Sequence, residues 1–503
     1  MMALRGECSV TQRLTVPAPG YRPLFVFVCT YTRQCASVNA TVHDGHVLSS
    51  DINTYATRTP GTHTALRSDL LYYAALALLP VDGLRFGLPM PYWNPISPLL
   101  FAAYALCHWG TLLRMLRRHR LWLIATAWVF GISLYGWLTV TFHPLPALIT
   151  FVSIALGFFF LASLIIAVDV RKLPISSMVT VLVVAYWCAF AVGVIEFISI
   201  KAHFNGLHTM FMGMMQHNYV AARPQFLFAE PSYIGMHLFG VLLPVYWLTR
   251  RRALAVLITC FAIGSMMMNA GTRIVIDTMV AALACLIIMV PWRRIDVTTL
   301  LYGLGSTMIV FATATIAAVA VNPRLRSIWE HGFWNGDVSA SARLFRTLSP
   351  LLAGIHNPSH LFLGFGAGNL GEAMRRGFPY AGAWVKSQHG IMTNEMLSLG
   401  RVRDLSAFSM NVYTSVIAEF GIITLVLMVT AILAHVTRNH QWNLTTVVWL
   451  LLLAYLYCQY EAYAFYAFWL FLAATGRPVA SLGKNRDPAT NPRYTLVLKR
   501  ERW

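Results

Sequence analysis

Hydrophobic residues along this chain form continuous runs of about 16–25 residues and do not alternate with polar residues. A run of that length crosses the hydrocarbon core of a membrane when it is helical. Only helices and closed barrels satisfy every backbone hydrogen bond in lipid, and the strands of a barrel would alternate apolar and polar residues. The pattern therefore predicts an all-α polytopic membrane protein.

The apolar runs predict about twelve transmembrane helices by this length rule. They lie near residues 64–81, 96–113, 121–140, 147–168, 178–200, 233–248, 254–269, 274–290, 298–321, 411–436, 444–459 and 463–476. The predicted regions are an N-terminal tail (1–63), helices 1–9 (64–321), a large loop (322–410), helices 10–12 (411–476) and a C-terminal tail (477–503). The segment 322–410 is called the long loop below.

Basic residues concentrate on alternate connections between the predicted spans. One set of connections holds Arg114, Arg117, Arg118, Arg120, Arg171, Lys172, Arg250, Arg251, Arg252, Arg293, Arg294 and Arg438. The short connections of the other set hold only Arg85, Lys201, Arg223 and Arg273. Because cytoplasmic loops carry the excess of lysine and arginine, this alternation predicts that both termini are cytoplasmic.

Composition agrees with a membrane protein, since 57% of the residues are hydrophobic and 11% are charged. The 8 cysteines show neither disulfide-type nor metal-type spacing. Residues 1–63 show no signal-peptide pattern and predict a cytoplasmic tail. The basic tail at 477–503 is interpreted as lying against anionic lipid, not as binding nucleic acid.

The long loop is predicted to face the outer side of the membrane, and loops of about ninety residues in compact proteins are usually functional. It is rich in arginine, which an anionic substrate on that side would explain. We expect one helix over Ser341–Ile355, because Leu344, Leu348, Leu351 and Leu352 recur at helical spacing. Pro350 is expected to bend that helix.

Ionisable residues inside the spans lie in the predicted outer half of the bilayer, at Glu196, Glu230, His237, Arg273, Asp277 and Glu419. Such residues are costly in lipid and usually line a functional cavity or pair with each other. Arg273 and Asp277 are spaced i, i+4, so mutual neutralisation is the alternative. Asn411, Ser415 and Glu419 form one polar stripe, and Glu419 is alternatively a packing residue.

Short motifs that occur in order along residues 70–480 resemble those of one family. They are RPQFLFAEPSYIG at 223–235, AGTR at 270–273, SASAR at 339–343, FLGFGAGN at 362–369, NVY at 411–413 and AEFGI at 418–422. The set resembles Wzy-type O-antigen and exopolysaccharide polymerases of the O-antigen ligase/polymerase superfamily. One motif is imperfect, because Ala342 stands where the family tends to have serine.

The resemblance implies a GT-C-like fold and a periplasmic active site in the bacterial inner membrane. The implied reaction joins undecaprenyl-pyrophosphate-linked oligosaccharide units, and a chain-length regulator is an additional partner that the family allows. The ligase branch carries a histidine at the position of Met410, so its absence favours a polymerase over a ligase. His389 and His237 remain as alternative bases.

The expected chemistry needs charge neutralisation of a pyrophosphate leaving group and positioning of an acceptor hydroxyl. Arginine grips phosphate oxygens in a bidentate fork. The candidate substrate-binding residues are Arg223, Arg273, Arg343, Arg346, Asn411 and Tyr413. The candidate catalytic residues are Glu230, then Glu419, then His389.

Two further readings of the sequence stay open. Glu230 immediately precedes Pro231, so it alternatively serves only to cap a helix. A transporter or flippase for lipid-linked sugars is the rival function, although neither an internal repeat nor a midplane polar site is evident. The sequence holds no metal-ligand, P-loop or dinucleotide motif, so no metal and no cofactor are expected.

Overall fold

The computed structural model describes residues 67–85, 93, 95–118, 121–215, 223–290, 297–321 and 323–476. Within these ranges the chain is all-helical, and Leu84 and Met215 form an isolated antiparallel bridge. The predicted tails over 1–63 and 477–503 lie outside the described residues.

A helix lies at each of the apolar segments marked in the sequence. The first half contains α1 (Arg67–Ala77), α2 (Ser97–Cys107), α3 (Trp109–Arg118), α4 (Leu121–Thr139), α5 (Pro144–Ile165), α6 (Ile175–Lys201), α7 (Asn205–Met214), α8 (Ile234–His237), α9 (Leu243–Thr249) and α10 (Arg252–Met267). The second half contains α11 (Thr272–Met289), α12 (Val297–Val321), α13 (Pro323–Gly336), α14 (Val338–Ile355), α15 (Pro358–Leu363), α16 (Leu370–Ser387), α17 (Asn394–Leu399), α18 (Val412–Arg438), α19 (Leu444–Tyr457) and α20 (Tyr466–Thr475). Single π-helical turns extend α5 over Ile166–Val170 and join α8 to α9 over Leu238–Leu242.

Several of these helices are long and apolar enough to cross a membrane. Four stretches meet that description among the described residues: Pro144–Val170, Ile175–Lys201, Pro231–Thr249 and Val412–Arg438. If the bent pair α2 and α3 is counted as one span, the number of such stretches rises to five. The helical fold and these lengths support a membrane protein.

The segment predicted as a span over 96–113 is two helices that meet at 88°. His108 leaves helical geometry at the junction, and its Nδ1 lies 2.9 Å from the carbonyl oxygen of Tyr104. In α3 the side chain of Leu112 is buried, whereas Arg114 and Arg117 are exposed. The apolar residues of the amphipathic helix α3 follow those of α2 directly in the sequence. The two helices therefore look like one apolar segment, and the bend between them is not visible in the hydropathy pattern.

The long loop is largely helical, with α14 packed along α16. The predicted helix over 341–355 is confirmed and runs over Val338–Ile355 without a break at Pro350. Its first turn is capped by Asp337, whose carboxylate accepts from the backbone nitrogen of Ser339 at 2.8 Å. Ala342 and Phe345 are fully buried, whereas the leucines of the pattern are half-buried.

An ion-pair network holds α16 to the end of the long loop. Glu372 accepts from the Nη2 of Arg375 at 2.8 Å and from the Nε of Arg376 at 2.7 Å. Arg375 also donates to Asp404 at 2.8 Å. Burial works against ionisation of Glu372, but the hydrogen bonds from Arg376 and Arg375 outweigh it and hold its pKa below the ordinary value.

We expect Glu372 to make the long loop sensitive to acid. A lowered folded-state pKa contributes stability that is present above the ordinary glutamate pKa of 4.5 and is lost as the pH falls through the folded-state value. Thermal unfolding of the wild type and of Glu372→Gln across pH 7 to about pH 3 measures this contribution. The wild type should be more stable at neutral pH and the difference should disappear in acid. A difference that is constant over the whole range would contradict the assignment.

Glycines join the long loop to a break in α18. The backbone of Gly421 has φ of 79°, which interrupts the helix and frees carbonyl groups in the preceding turn. The nitrogen of Phe365 donates to the carbonyl of Ala418 at 2.7 Å, and that of Gly366 donates to the carbonyl of Glu419 at 2.9 Å. This backbone pairing fixes the glycine-rich loop 364–368 against the membrane helices.

Gly368→Ala is expected to destabilise the fold far more than Gly332→Ala. Both glycines have positive φ, of 80° and 76° respectively. A Cβ on Gly368 would lie 2.3 Å from the nitrogen of Ala147, whereas a Cβ on Gly332 would meet nothing within 4 Å. We expect a cost of about 3 kcal/mol or more for Gly368→Ala and about 1 kcal/mol for Gly332→Ala. Thermal unfolding measures both, and equal shifts would show that close packing at Gly368 is unimportant.

Candidate functional site

The segment before Glu230 is held by carboxylates from two other parts of the chain. In α6, Glu196 accepts from the backbone nitrogens of Gln225 at 2.8 Å and Phe226 at 2.9 Å. In the connection after α1, Asp82 accepts from the nitrogen of Ala229 at 2.9 Å. Since both carboxylates are buried, they supply acceptors that this irregular backbone needs away from water.

Asp82 belongs to a buried hydrogen-bond network that sequence reasoning missed. Its Oδ2 accepts from Trp93 Nε1 at 2.9 Å and lies 2.9 Å from His237 Nε2. The Nδ1 of His237 lies 2.7 Å from the hydroxyl of Tyr186. His237 is therefore a packed member of this network rather than an exposed base. The sequence did contain one sign of Asp82, since it is a lone carboxylate in a short connection that is predicted to face outward.

Glu230 binds an arginine of the long loop. Its Oε1 accepts from Arg343 Nη2 at 2.6 Å, and its Oε2 is buried with no hydrogen-bond partner among the described residues. Pro231 starts the 3-10 turn Pro231–Tyr233, and the Glu230 side chain makes no capping hydrogen bond to it. The interpretation of Glu230 as only a cap is therefore wrong. The Glu230 side chain is 4% exposed and that of Arg343 is 32% exposed.

Arg273 is buried at the start of α11 with its donors unsatisfied. The Nε lies 3.6 Å from Asp277 Oδ2, an ion-pair distance, yet none of its guanidinium nitrogens has a hydrogen-bond partner among the described residues. The other oxygen of Asp277 accepts from the hydroxyl of Tyr455 at 2.7 Å. The predicted pairing of Arg273 with Asp277 is confirmed. It leaves the hydrogen-bonding capacity of the guanidinium unused, which is costly in a buried group.

Three arginines and two carboxylates form a group that we call the arginine cluster: Arg223, Glu230, Arg273, Asp277 and Arg343. Arg343 interacts electrostatically with Asp277, and the hydroxyl of Tyr233 interacts with Glu230, Arg273 and Arg343. A Cβ placed on Gly271 would lie 3.7 Å from Arg223 Nη1, which puts this guanidinium beside the start of α11.

Two other predicted residues of the long loop lie elsewhere. Arg346 donates to Glu395 at 3.2 Å, and its guanidinium carbon lies 4.0 Å from the ring centroid of Phe408. It therefore ties parts of the loop together. His389 is exposed in the turn after α16, where its carbonyl accepts from Asn335 at 3.3 Å. The described contacts bring neither residue to Glu230.

Asn411 and Tyr413 have structural contacts. Asn411 caps α18, because its Oδ1 accepts from the backbone nitrogens of Tyr413 at 2.9 Å and Thr414 at 3.4 Å. The Tyr413 hydroxyl donates to the carbonyl of Ala454 at 3.0 Å and joins α18 to α19. These bonds explain why both residues occur at the start of α18 without assigning them to substrate.

Glu419 has a full set of donors. Its Oε1 accepts from Gly368 N at 2.6 Å and Thr150 Oγ1 at 3.1 Å, and its Oε2 accepts from Tyr463 at 2.8 Å. The predicted polar stripe does face protein, since Ser415 and Glu419 are both buried. Glu419 therefore anchors the glycine-rich loop and positions Tyr463.

A cavity lies where the end of the long loop meets the membrane helices. It is lined by Trp93, Pro146, Ile149, Thr150, Ser153, Gly368, Leu370, Asp404, Leu405, Ala407, Glu419, Glu461, Ala462 and Tyr463. We call it the Glu461 cavity. It lies beside Glu419, and its lining includes none of the five residues of the arginine cluster.

Glu461 is the residue of this cavity that sequence reasoning missed. It stands in the short connection between α19 and α20, and its Oε2 accepts from the backbone nitrogens of Ser409 and Met410. Burial raises the pKa of Glu461 to about 7, against the opposing effect of the hydrogen bond from Ser409. The signal in the sequence was again a lone carboxylate in a short outer connection.

Comparison with known proteins does not assign this chain to a family. A scan against protein-family models and a search of the curated proteins found no match to this chain. The function is therefore inferred from the residues and their geometry.

Proposed function

We propose that this protein is a metal-independent membrane glycosyltransferase that polymerises oligosaccharide units carried on undecaprenyl pyrophosphate. In this proposal the chain has about twelve spans in a GT-C-like arrangement in the bacterial inner membrane. Both termini are cytoplasmic and the reaction takes place at the periplasmic face. The family resemblance of the motifs supports this function.

The arginine cluster is the observation that carries the proposal. Arg273 is 8% exposed and has guanidinium nitrogens without hydrogen-bond partners among the described residues. An unsatisfied buried donor costs about 1–3 kcal/mol, and an oxyanion that accepts from it would recover that free energy. Arg343 lies close by and is partly accessible. A pyrophosphate group matches the charge and the donor geometry of these side chains.

The chemistry follows from the positions of Glu230 and the arginines. An acceptor sugar hydroxyl attacks the anomeric carbon of the donor, and the bond from that carbon to the pyrophosphate oxygen breaks. Glu230 takes the hydroxyl proton once Arg343 has moved from its carboxylate to the phosphate. Arg273 and Arg343 neutralise the negative charge that develops on the departing pyrophosphate.

Connections that the charge pattern assigns to one side of the membrane supply both the cluster and the cavity. They contribute Asp82, Glu230, Arg273, Arg343 and Glu461. Trp93 lines the cavity and donates to Asp82, which supports an active site that uses both regions.

The decisive experiment adds lipid-pyrophosphate-linked repeat units to the purified protein and separates the products by size. A ladder of polymers is the expected result. A single transfer to a lipid A core acceptor would identify a ligase, and movement of the lipid-linked sugar across a vesicle without chemistry would identify a transporter. Either outcome would overturn the polymerase proposal.

A further inference from the structure

The Glu461 cavity differs from the arginine cluster in its charge. Three of its lining side chains are carboxylic acids, and its lining contains neither lysine nor arginine. Asp404 is paired with Arg375 at 2.8 Å, and Glu419 has its three donors. Because the lining has carboxyl groups and no lysine or arginine, it does not favour an anionic pyrophosphate. The cavity suits an uncharged group.

Glu461 retains hydrogen-bonding capacity toward the cavity. The donors Ser409 N, Ser409 Oγ and Met410 N all go to its Oε2. The side chain of Ser415 also hydrogen-bonds to this carboxyl group. None of the three bonds from Ser409 and Met410 goes to Oε1, and a carboxyl oxygen has two lone pairs, so Oε1 can accept from a donor in the cavity. A carboxyl oxygen accepts a hydrogen bond from a sugar hydroxyl whether the group is ionised or neutral.

The remaining walls suit a sugar ring. Trp93 and Tyr463 contribute aromatic surface, and Thr150 and Ser153 contribute hydroxyl groups. Ligand sites of this kind combine apolar and aromatic walls with a few convergent polar groups that set orientation.

We propose that the Glu461 cavity is a binding site for a neutral, hydroxyl-rich saccharide, with Glu461 accepting a hydrogen bond from a sugar hydroxyl and Trp93 and Tyr463 contacting the ring. Its assignment as the acceptor-sugar subsite rests on the proposed function. The donor pyrophosphate and the acceptor sugar then occupy separate sites of opposite charge.

A buried connection joins the two sites. Trp93 in the cavity wall donates to Asp82, and the other oxygen of Asp82 accepts from Ala229 N at 2.9 Å. Ala229 directly precedes Glu230. The buried carboxylate of Asp82 therefore links the wall of the cavity to the segment that carries Glu230.

The test measures binding of two probes to the full chain in lipid nanodiscs by calorimetry. The probes are a panel of neutral disaccharides to tetrasaccharides, built from hexoses and N-acetylhexosamines, and inorganic pyrophosphate. Glu461→Gln keeps an oxygen for Ser409 and Met410 but removes the charge, and Arg273→Gln removes the anion-binding group. Glu330→Gln, an exposed carboxylate of α13 outside the cavity, is the matched control.

Glu461→Gln is expected to weaken saccharide binding by about tenfold or more and to leave pyrophosphate binding unchanged. Arg273→Gln is expected to do the reverse, and Glu330→Gln to change neither. Absence of saccharide binding to the wild type, or equal loss of saccharide binding in Glu461→Gln and Glu330→Gln, would overturn the inference. Saccharide binding that persists in a protein without polymerase activity would instead contradict the proposed function.

Discussion

Polymer formation is expected to fall by about 10²–10⁴-fold in Glu230→Gln, while the protein stays folded. Glutamine preserves the shape of the side chain and an acceptor for Arg343, but it does not take a proton from the acceptor hydroxyl. Arg343 is 32% exposed and its charge can be solvated after the substitution, so the cost in stability should be small. The product ladder and thermal unfolding, measured on the same preparation, test this.

Glu419→Gln is the informative comparison for this result. Glu419 accepts from Gly368 N, Thr150 and Tyr463, so its neutral replacement should lower the unfolding temperature more than it lowers the rate per folded molecule. A stable and active Glu230→Gln protein would remove Glu230 from the mechanism. Glu461, Glu419 and His389 would then be the groups to test as the base.

The second large effect concerns the buried pair of Arg273 and Asp277. Asp277→Asn leaves a buried guanidinium without its counter-charge, and we expect a loss of about 3–5 kcal/mol in the free energy of unfolding. The double variant Arg273→Gln, Asp277→Asn removes both charges and should recover most of that stability. It should nevertheless lose pyrophosphate binding and polymer formation, because the anion-binding group is gone.

Chemical denaturation of both variants and of Arg273→Gln alone measures the coupling between the two side chains. Calorimetry with inorganic pyrophosphate measures ligand binding on the same samples. A double variant that is restored in stability and still binds pyrophosphate would show that Arg273 is a structural residue. That result would move the anion site to Arg223 and Arg343.

Much of the fold follows from local pattern. Helices occur at the apolar segments, and the helix at Val338–Ile355 was predicted from the spacing of its leucines. Within α14, Ala342 and Phe345 are fully buried, while Leu344 and Leu348 of the leucine pattern are half-buried. Small residues let helices approach closely, and a count of large apolar positions does not reveal where that happens.

The candidate site was predicted unevenly for a related reason. Glu230 and Arg343 were predicted separately and form an ion pair, whereas Arg273 pairs with Asp277 on its own helix. Asn411 and Tyr413 were assigned to substrate because they stand at a helix start, yet Asn411 caps that helix. A motif does not distinguish a side chain that bonds to its own backbone from one that faces a ligand.

The sequence by itself determined the helical class, the apolar segments and the alternation of basic connections, because hydrophobicity and charge act locally along the chain. Only the tertiary structure decided which carboxylates can still accept a hydrogen bond. Glu419 is saturated by Gly368, Thr150 and Tyr463, whereas Glu230 has a buried oxygen without a partner among the described residues. Those partners come from distant parts of the chain, and long-range packing alone brings them together.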